Sequence, residues 1–151
     1  MLARLSGACW LDQEYAAANE ACKKAGASSR AGAAVVSINI SNGTSKILKR
    51  GSTASVDPGY LSAAEPISFS VSDGQTSHAI WYPPKNRDFA GSPEEKPPLI
   101  VLSHGGPTSQ TDGSLSMGVQ FWTSRGVSVV DVNYRGSSGY GRAYRDALQG
   151  T

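Results

Sequence analysis

The run Pro97-Pro98-Leu99-Ile100-Val101-Leu102-Ser103-His104-Gly105-Gly106-Pro107 constrains this chain more than any other stretch. Leu99 to Leu102 is a continuous apolar run, too short for a helix, with two prolines before it and Gly-Gly-Pro after it. It fits a strand covered on both faces in a parallel sheet. Ligands bind beyond the carboxyl ends of such strands. Gly105 and Gly106 lack a Cβ, so their backbone can take positive φ and approach a bound group closely, while Pro107 biases Gly106 toward an extended conformation. A turn of this kind can aim main-chain N–H groups at a developing oxyanion.

A second β-branched run, Val127 to Tyr134, leads into Arg135-Gly136-Ser137-Ser138-Gly139-Tyr140-Gly141. Between the two runs, Leu115, Val119 and Trp122 fall at helical spacing, with Asp112 or Ser114 as the cap and Gly126 as the stop. This order predicts a right-handed βαβ unit with parallel strands, and Arg142 to Gly150 begins a further helix. Upstream, Ile67, Phe69 and Val71 alternate with serines, and Asp73-Gly74 turns the chain into Thr76–Tyr82. That pattern predicts two antiparallel strands with one buried face. His78 falls beside Ile80 and Tyr82 and reads as a packed or exposed structural histidine. Earlier still, Val36, Ile38 and Ile40 alternate with polar residues, Asn42-Gly43 offers a two-residue turn, and Ile47-Leu48 begins the return of a β-hairpin. Residues 49–64 read as linker, and Ala-rich residues 12–25, acidic early and basic late, read as a helix ended by Gly26.

Several function classes are excluded. Fourteen Lys and Arg stand against twelve Asp and Glu, for a formal charge of +2. That is too even a balance to imply nucleic acid or an anionic membrane as partner. No apolar run approaches the ~18 residues of a membrane span, and the N-terminus reads as mature sequence. Cys9 and Cys22 form no Cys-x-x-Cys pair and the two histidines stand apart, so neither a metal nor any other cofactor is expected. Two free thiols suit a reducing cytoplasm. The glycines at 136, 139 and 141 match neither phosphate-binding pattern.

Three segments carry a resemblance. Ser-His-Gly-Gly-Pro-Thr at 103–108, Phe-Trp-Thr-Ser-Arg-Gly at 121–126, and the run from Asp131 through Asn133-Tyr134-Arg135-Gly136-Ser137-Ser138-Gly139-Tyr140-Gly141 to Arg145 resemble the first part of the catalytic domain of the prolyl oligopeptidase family. The likeness is strongest to its acylaminoacyl-peptidase and dipeptidyl-peptidase-like branch. The resemblance implies an α/β fold: the N-terminal part of an α/β-hydrolase sheet over residues 61–151, preceded over residues 1–60 by a linker and a hairpin from the end of a β-propeller. It also implies a serine peptidase acting on short peptides, releasing acylated amino acids or dipeptides. The chain would then be a fragment, since the family's catalytic Ser, Asp and His lie downstream of these motifs. The nucleophile elbow G-x-S-x-G occurs nowhere in the 151 residues: Ser138 has Gly136 two before it but Tyr140 two after it.

What remains is the oxyanion side of the chemistry. The resemblance places His104, Gly105 and Gly106 at the oxyanion hole, with Gly106 as first choice for the donor and His104 as a neighbour rather than the triad base. Tyr134 and Arg135, at the carboxyl end of the second parallel strand, are candidate substrate contacts. Acylaminoacyl peptidases often carry Gly where this chain has Arg135, which leaves the substrate class open. The family's sheet order would pair Leu99–Ser103 with the nucleophile strand. Without that neighbour the strand offers a bare edge for association. Two alternatives stay open: a catalytically silent truncated product with at most a binding role, and an esterase-type α/β-hydrolase. Pro107 and the Asn133–Gly141 run argue against the esterase.

Overall fold

The computed structural model describes residues 29–149 apart from 40, 53, 54, 73 and 107. The Ala-rich segment 12–25, Cys9, Cys22, Asp73 and Pro107 lie outside the described residues.

Strands β1 (Ala34–Ile38) and β2 (Ser45–Arg50) form an antiparallel two-stranded sheet with a bulge between Val35 and Val36. The connection is longer than the expected two-residue turn, because the ladder already closes where Asn39 N–H donates to the Thr44 carbonyl at 2.8 Å. Asparagine side chains occupy the intervening donors: Asn39 Oδ1 accepts from Ser41 N–H, and Asn42 Oδ1 accepts from Thr44 N–H.

A larger mixed sheet contains β3 (Glu65–Ser70), β4 (Thr76–Tyr82), β5 (Leu99–Ser103) and β6 (Ser128–Asn133), in the order β3-β4-β6-β5. β3 pairs antiparallel with β4, and β5 runs parallel to β6, as the apolar patterns predict. The antiparallel β4–β6 junction joins the two units and has no local signal in the sequence. Register sets the faces: Tyr82, Val129 and Ile100 share one row, Ile80, Asp131 and Leu102 the next, and His78 and Asn133 a third.

Helix α1 (Met117–Thr123) covers that face, and Ile80, Tyr82, Val119 and Val129 form the buried core with Ala64 and Ile100 packed against it. Its cap is Ser116, whose Oγ accepts from Val119 N–H; Asp112 instead accepts from Ser114 N–H in a local turn. The helix therefore starts later than its spacing suggests. Leu115 precedes it, Trp122 is exposed, and Val119, Gln120 and Thr123 face inward. Buried Gln120 fastens the preceding segment to the helix: its Oε1 accepts from Ser62 N–H at 2.7 Å, and its Nε2 donates to the carbonyls of Ser62 and Ser29. Helix α2 (Arg142–Asp146) follows β6.

The expectation that Leu99–Ser103 is covered on both faces is corrected. β5 is an edge strand, with Leu99 55% and Val101 62% exposed, because no described strand pairs with its outer side. β4 and β6 are the interior strands, and both are largely buried, while β3 is an edge and mostly exposed.

Tyr82, buried in the core, has its phenol pushed up to about 12 from 10.0 by burial first, with the negative charges of Asp131 and Asp112 adding to it. The folded state thus favours the neutral phenol. This contribution is fully present below pH ~10 and is lost as pH rises toward about 12, on the order of 2 kcal/mol in all. Denaturant titrations at pH 9 and pH 11.5 should show a smaller alkaline loss in Tyr82→Phe than in the parent chain; equal losses would refute this.

Candidate functional site

Parallel strands end on the same side of a sheet, so β5 delivers His104-Gly105-Gly106 and β6 delivers residues 134–138 to one place. The His104 ring stacks on Tyr134 with centroids 4.5 Å apart, and its Nε2 lies 2.7 Å from Ser137 Oγ. The Tyr134 hydroxyl lies 3.1 Å from the His104 carbonyl oxygen and 2.9 Å from that of Gly106. Ser138 donates from its hydroxyl to the Thr108 carbonyl at 3.1 Å and from its N–H to the Ser109 carbonyl at 3.0 Å.

The loop after β6 therefore grips the turn by its carbonyls. In a trans peptide C=O and N–H point in opposite directions, so the His104 carbonyl drawn toward that loop turns the Gly105 N–H away from it, while the Gly106 carbonyl precedes Pro107, which has no N–H. Neither Gly105 nor Gly106 donates its N–H to another described residue, and both glycines are exposed. Gly106 adopts φ +70°, a left-handed conformation rather than the extended one that a following proline favours. A Cβ there would meet nothing within 4 Å, so backbone conformation and not crowding demands glycine.

Asn133 supports this arrangement from below. Fully buried at the end of β6, it accepts from Thr111 N–H at 2.8 Å and donates to the Thr111 carbonyl at 3.1 Å and to the Tyr140 hydroxyl at 3.0 Å. Its own carbonyl accepts from the Tyr144 hydroxyl at 2.7 Å. Thr111 is held a second time, its hydroxyl donating to Asp131 Oδ2 at 2.8 Å. Gly139, at φ +94°, lets the loop pass Gln110: a Cβ there would come within 2.2 Å of Gln110 Oε1.

Of the residues singled out from sequence, His104, Gly105, Gly106 and Tyr134 come together. Tyr134 turns its hydroxyl onto the turn, and Arg135 points elsewhere, its guanidinium 3.3 Å from Gln75 Oε1 beside the β3–β4 turn. His78 is packed, stacked on Tyr140 at 4.1 Å with Nδ1 2.8 Å from Ser68 Oγ. Sequence reasoning missed Asn133, Ser137 and Ser138. A signal existed for Asn133: polar Asp131 and Asn133 alternate onto one face of an otherwise apolar strand, and buried polar groups require partners. Among the described residues no cluster of His, Cys, Asp or Glu could hold a metal ion, and no helix is long and apolar enough to cross a membrane.

Residues 113–151 match the model of the prolyl oligopeptidase family. The chain is 30% identical over 87 residues to a dipeptidyl aminopeptidase BIII of Pseudoxanthomonas mexicana, covering 56% of this chain and 13% of that protein. It is 48% identical over 52 residues to an acylamino-acid-releasing enzyme of Arabidopsis thaliana, covering 34% of this chain and 6% of the relative. Among solved structures, a puromycin-hydrolyzing peptidase of Mycobacterium tuberculosis superposes with a TM-score of 0.75 at 37% identity, over 81% of this chain and 19% of that one. The chain thus spans less than a fifth of the length of each of these relatives.

Truncating Asn133 would leave the Thr111 N–H and carbonyl without their buried partner, at about 1–3 kcal/mol for each group so exposed. Asn133→Ala should therefore destabilise the fold by at least about 2 kcal/mol in urea denaturation, whereas Ser92→Ala, on an exposed loop, should change it by less than about 0.5 kcal/mol. Equal midpoints for the two variants would remove Asn133 from its supporting role.

Proposed function

We propose, from the match of residues 113–151 to the model of the prolyl oligopeptidase family, that the chain belongs to that family and is the segment where a serine peptidase passes from the end of its β-propeller into its catalytic domain. Residues 1–60 are the propeller end and linker, and residues 61–151 are the N-terminal part of the α/β-hydrolase domain. In this reading the turn His104-Gly105-Gly106 serves the oxyanion. A serine from outside these 151 residues attacks the scissile carbonyl, its oxygen gains negative charge, and Gly106 N–H donates to it. The observation that carries the reading is the exposed glycine turn, held at the His104 and Gly106 carbonyls by Tyr134 and just beyond it by Ser138 at Thr108 and Ser109, with both glycine N–H groups unengaged by any described residue. The relatives' names, a dipeptidyl aminopeptidase and an acylamino-acid-releasing enzyme, favour release of a dipeptide or an acylated amino acid from the N-terminus of a peptide, which we take to be short. A second reading, a silent product with at most a binding role, draws on the absence of a G-x-S-x-G elbow from the chain.

Tyr134 and Arg135 now differ in role. Tyr134 holds the turn, whereas Arg135, directed toward Gln75, is a substrate contact only for a residue reaching the β3–β4 side. The uncovered edge of β5 is the surface through which the segment associates, with the remainder of its domain or with another chain. Sedimentation of the 151-residue chain should accordingly show self-association; a monodisperse monomer that unfolds cooperatively would contradict it.

Two measurements test the catalytic reading. The 151-residue chain should not be labelled by a fluorophosphonate probe, since donors without a nucleophile have no covalent step to assist; labelling abolished by one Ser→Ala change would overturn this. In the full-length enzyme, Gly106→Val should lower kcat by about 10²–10³ with little change in KM, because the donor acts on charge that develops only in the transition state. His78→Ala should leave both parameters nearly unchanged. A folded Gly106→Val enzyme with normal kcat would take the turn out of the mechanism.

A further inference from the structure

Resting on that reading of the turn, we propose that Ser137 is a positioning residue: it fixes the tautomer of His104, and through it the orientation and polarity of the Gly105–Gly106 peptide. A serine hydroxyl 2.7 Å from an imidazole nitrogen invites comparison with a nucleophile and its base. Burial argues against that. Ser137 is fully buried, and the imidazole it meets lies flat on Tyr134 rather than against a carboxylate. A serine so enclosed cannot receive a substrate carbonyl.

The pair has a different use. The Ser137 hydroxyl meets no acceptor among the described residues other than His104 Nε2. A hydroxyl has one hydrogen to donate, and a buried donor left unmatched costs more than an unused lone pair. Ser137 therefore donates to Nε2, and the ring proton resides on Nδ1. At its other end the ring agrees: Nδ1 faces the Gly105 carbonyl oxygen at 3.4 Å, a long contact that is attractive only if Nδ1 carries hydrogen. The opposite tautomer would leave the Ser137 hydrogen buried without an acceptor and set a nitrogen lone pair against a carbonyl oxygen.

The result is a chain of donors from the Ser137 hydroxyl through the His104 ring to the Gly105 carbonyl. The far end of that peptide group is Gly106 N–H, which points the opposite way. Hydrogen bonds in series polarise one another, so drawing on the Gly105 carbonyl makes Gly106 N–H a stronger donor to an oxyanion. Stacking on Tyr134 keeps the ring in plane for both contacts. His104 thus acts without exchanging its proton with substrate.

The 151-residue chain contains two histidines, so ¹⁵N-imidazole spectra can be assigned with a His78→Ala variant. At a pH where the imidazole is neutral, His104 in the parent chain should carry its proton on Nδ1; protonation at Nε2, or an averaged mixture, overturns the proposal without any activity measurement. Ser137→Ala should abolish the Nδ1 preference and Ser137→Thr should keep it; an unchanged tautomer in Ser137→Ala is equally fatal. In the full-length enzyme, Ser137→Ala should lower kcat about tenfold, the worth of one hydrogen bond, at constant KM, with recovery in Ser137→Thr. If Gly106→Val proves slow while Ser137→Ala retains full kcat, this inference falls and the oxyanion reading stands. If Gly106→Val retains full kcat, the reading itself falls and takes the catalytic part of this inference with it.

Discussion

The side-chain amide of Asn133 is the interaction on which the ordered end of this sheet depends. It reproduces a pair of backbone hydrogen bonds where no strand is available, binding Thr111 through both its N–H and its carbonyl while holding the Tyr140 hydroxyl. Three separate pieces of chain, the end of β6, the segment before α1 and the loop before α2, meet at one buried group. The amide itself is fully enclosed and its partners Thr111 and Tyr140 are half-buried, so losing it would leave their polar groups short of a bond where water reaches them poorly. The turn at His104–Gly106 inherits its position from this arrangement, since Thr111 anchors the segment that follows it and Tyr134 begins the loop that grips it.

β6 makes this possible by lying between an antiparallel and a parallel neighbour. From β4 it gains His78 opposite Asn133, stacked on Tyr140 and edge-on to Tyr144, so the aromatic residues of the loop close over the same corner. From β5 it gains the glycine turn. The helix between them contributes Val119 to the core and Gln120, whose amide ties residues 29 and 62 to the helix. Polar side chains hydrogen-bonded at both ends of their amides thus help fix the relative positions of segments that the small apolar core leaves free.

The likeness to prolyl oligopeptidase-family proteins and the geometry of the turn bear on one another. Similarity covers 81% of this chain in the mycobacterial peptidase structure, yet it covers only 19% of that structure. The local chemistry therefore has to be read from the atoms present. Those atoms are an exposed turn and the groups that hold it: a hydroxyl on alternate carbonyls, a serine on the next strand loop, and a glycine at φ +70°, where a side chain would be strained.

Period and punctuation in the sequence determined much of this protein. The alternation at Ile67, Phe69 and Val71, the apolar runs at 99–102 and 127–132, and the Gly-rich endings mark the strands, their parallel and antiparallel senses, and the turn that carries His104. These are local properties, set by side-chain period and by backbone freedom at glycine. Tertiary structure alone decided which strand is covered. β5 has the most apolar sequence yet lies at an edge, while β4, with its polar Ser77 and His78, is enclosed, because strand order depends on pairing between distant segments that leaves no local trace. Tertiary structure also decided that Asn133 and Ser137 belong to the site and that Arg135 turns away from it. A hydrogen bond between residues 22 or 33 positions apart is a matter of direction in space, and a one-dimensional pattern carries no direction.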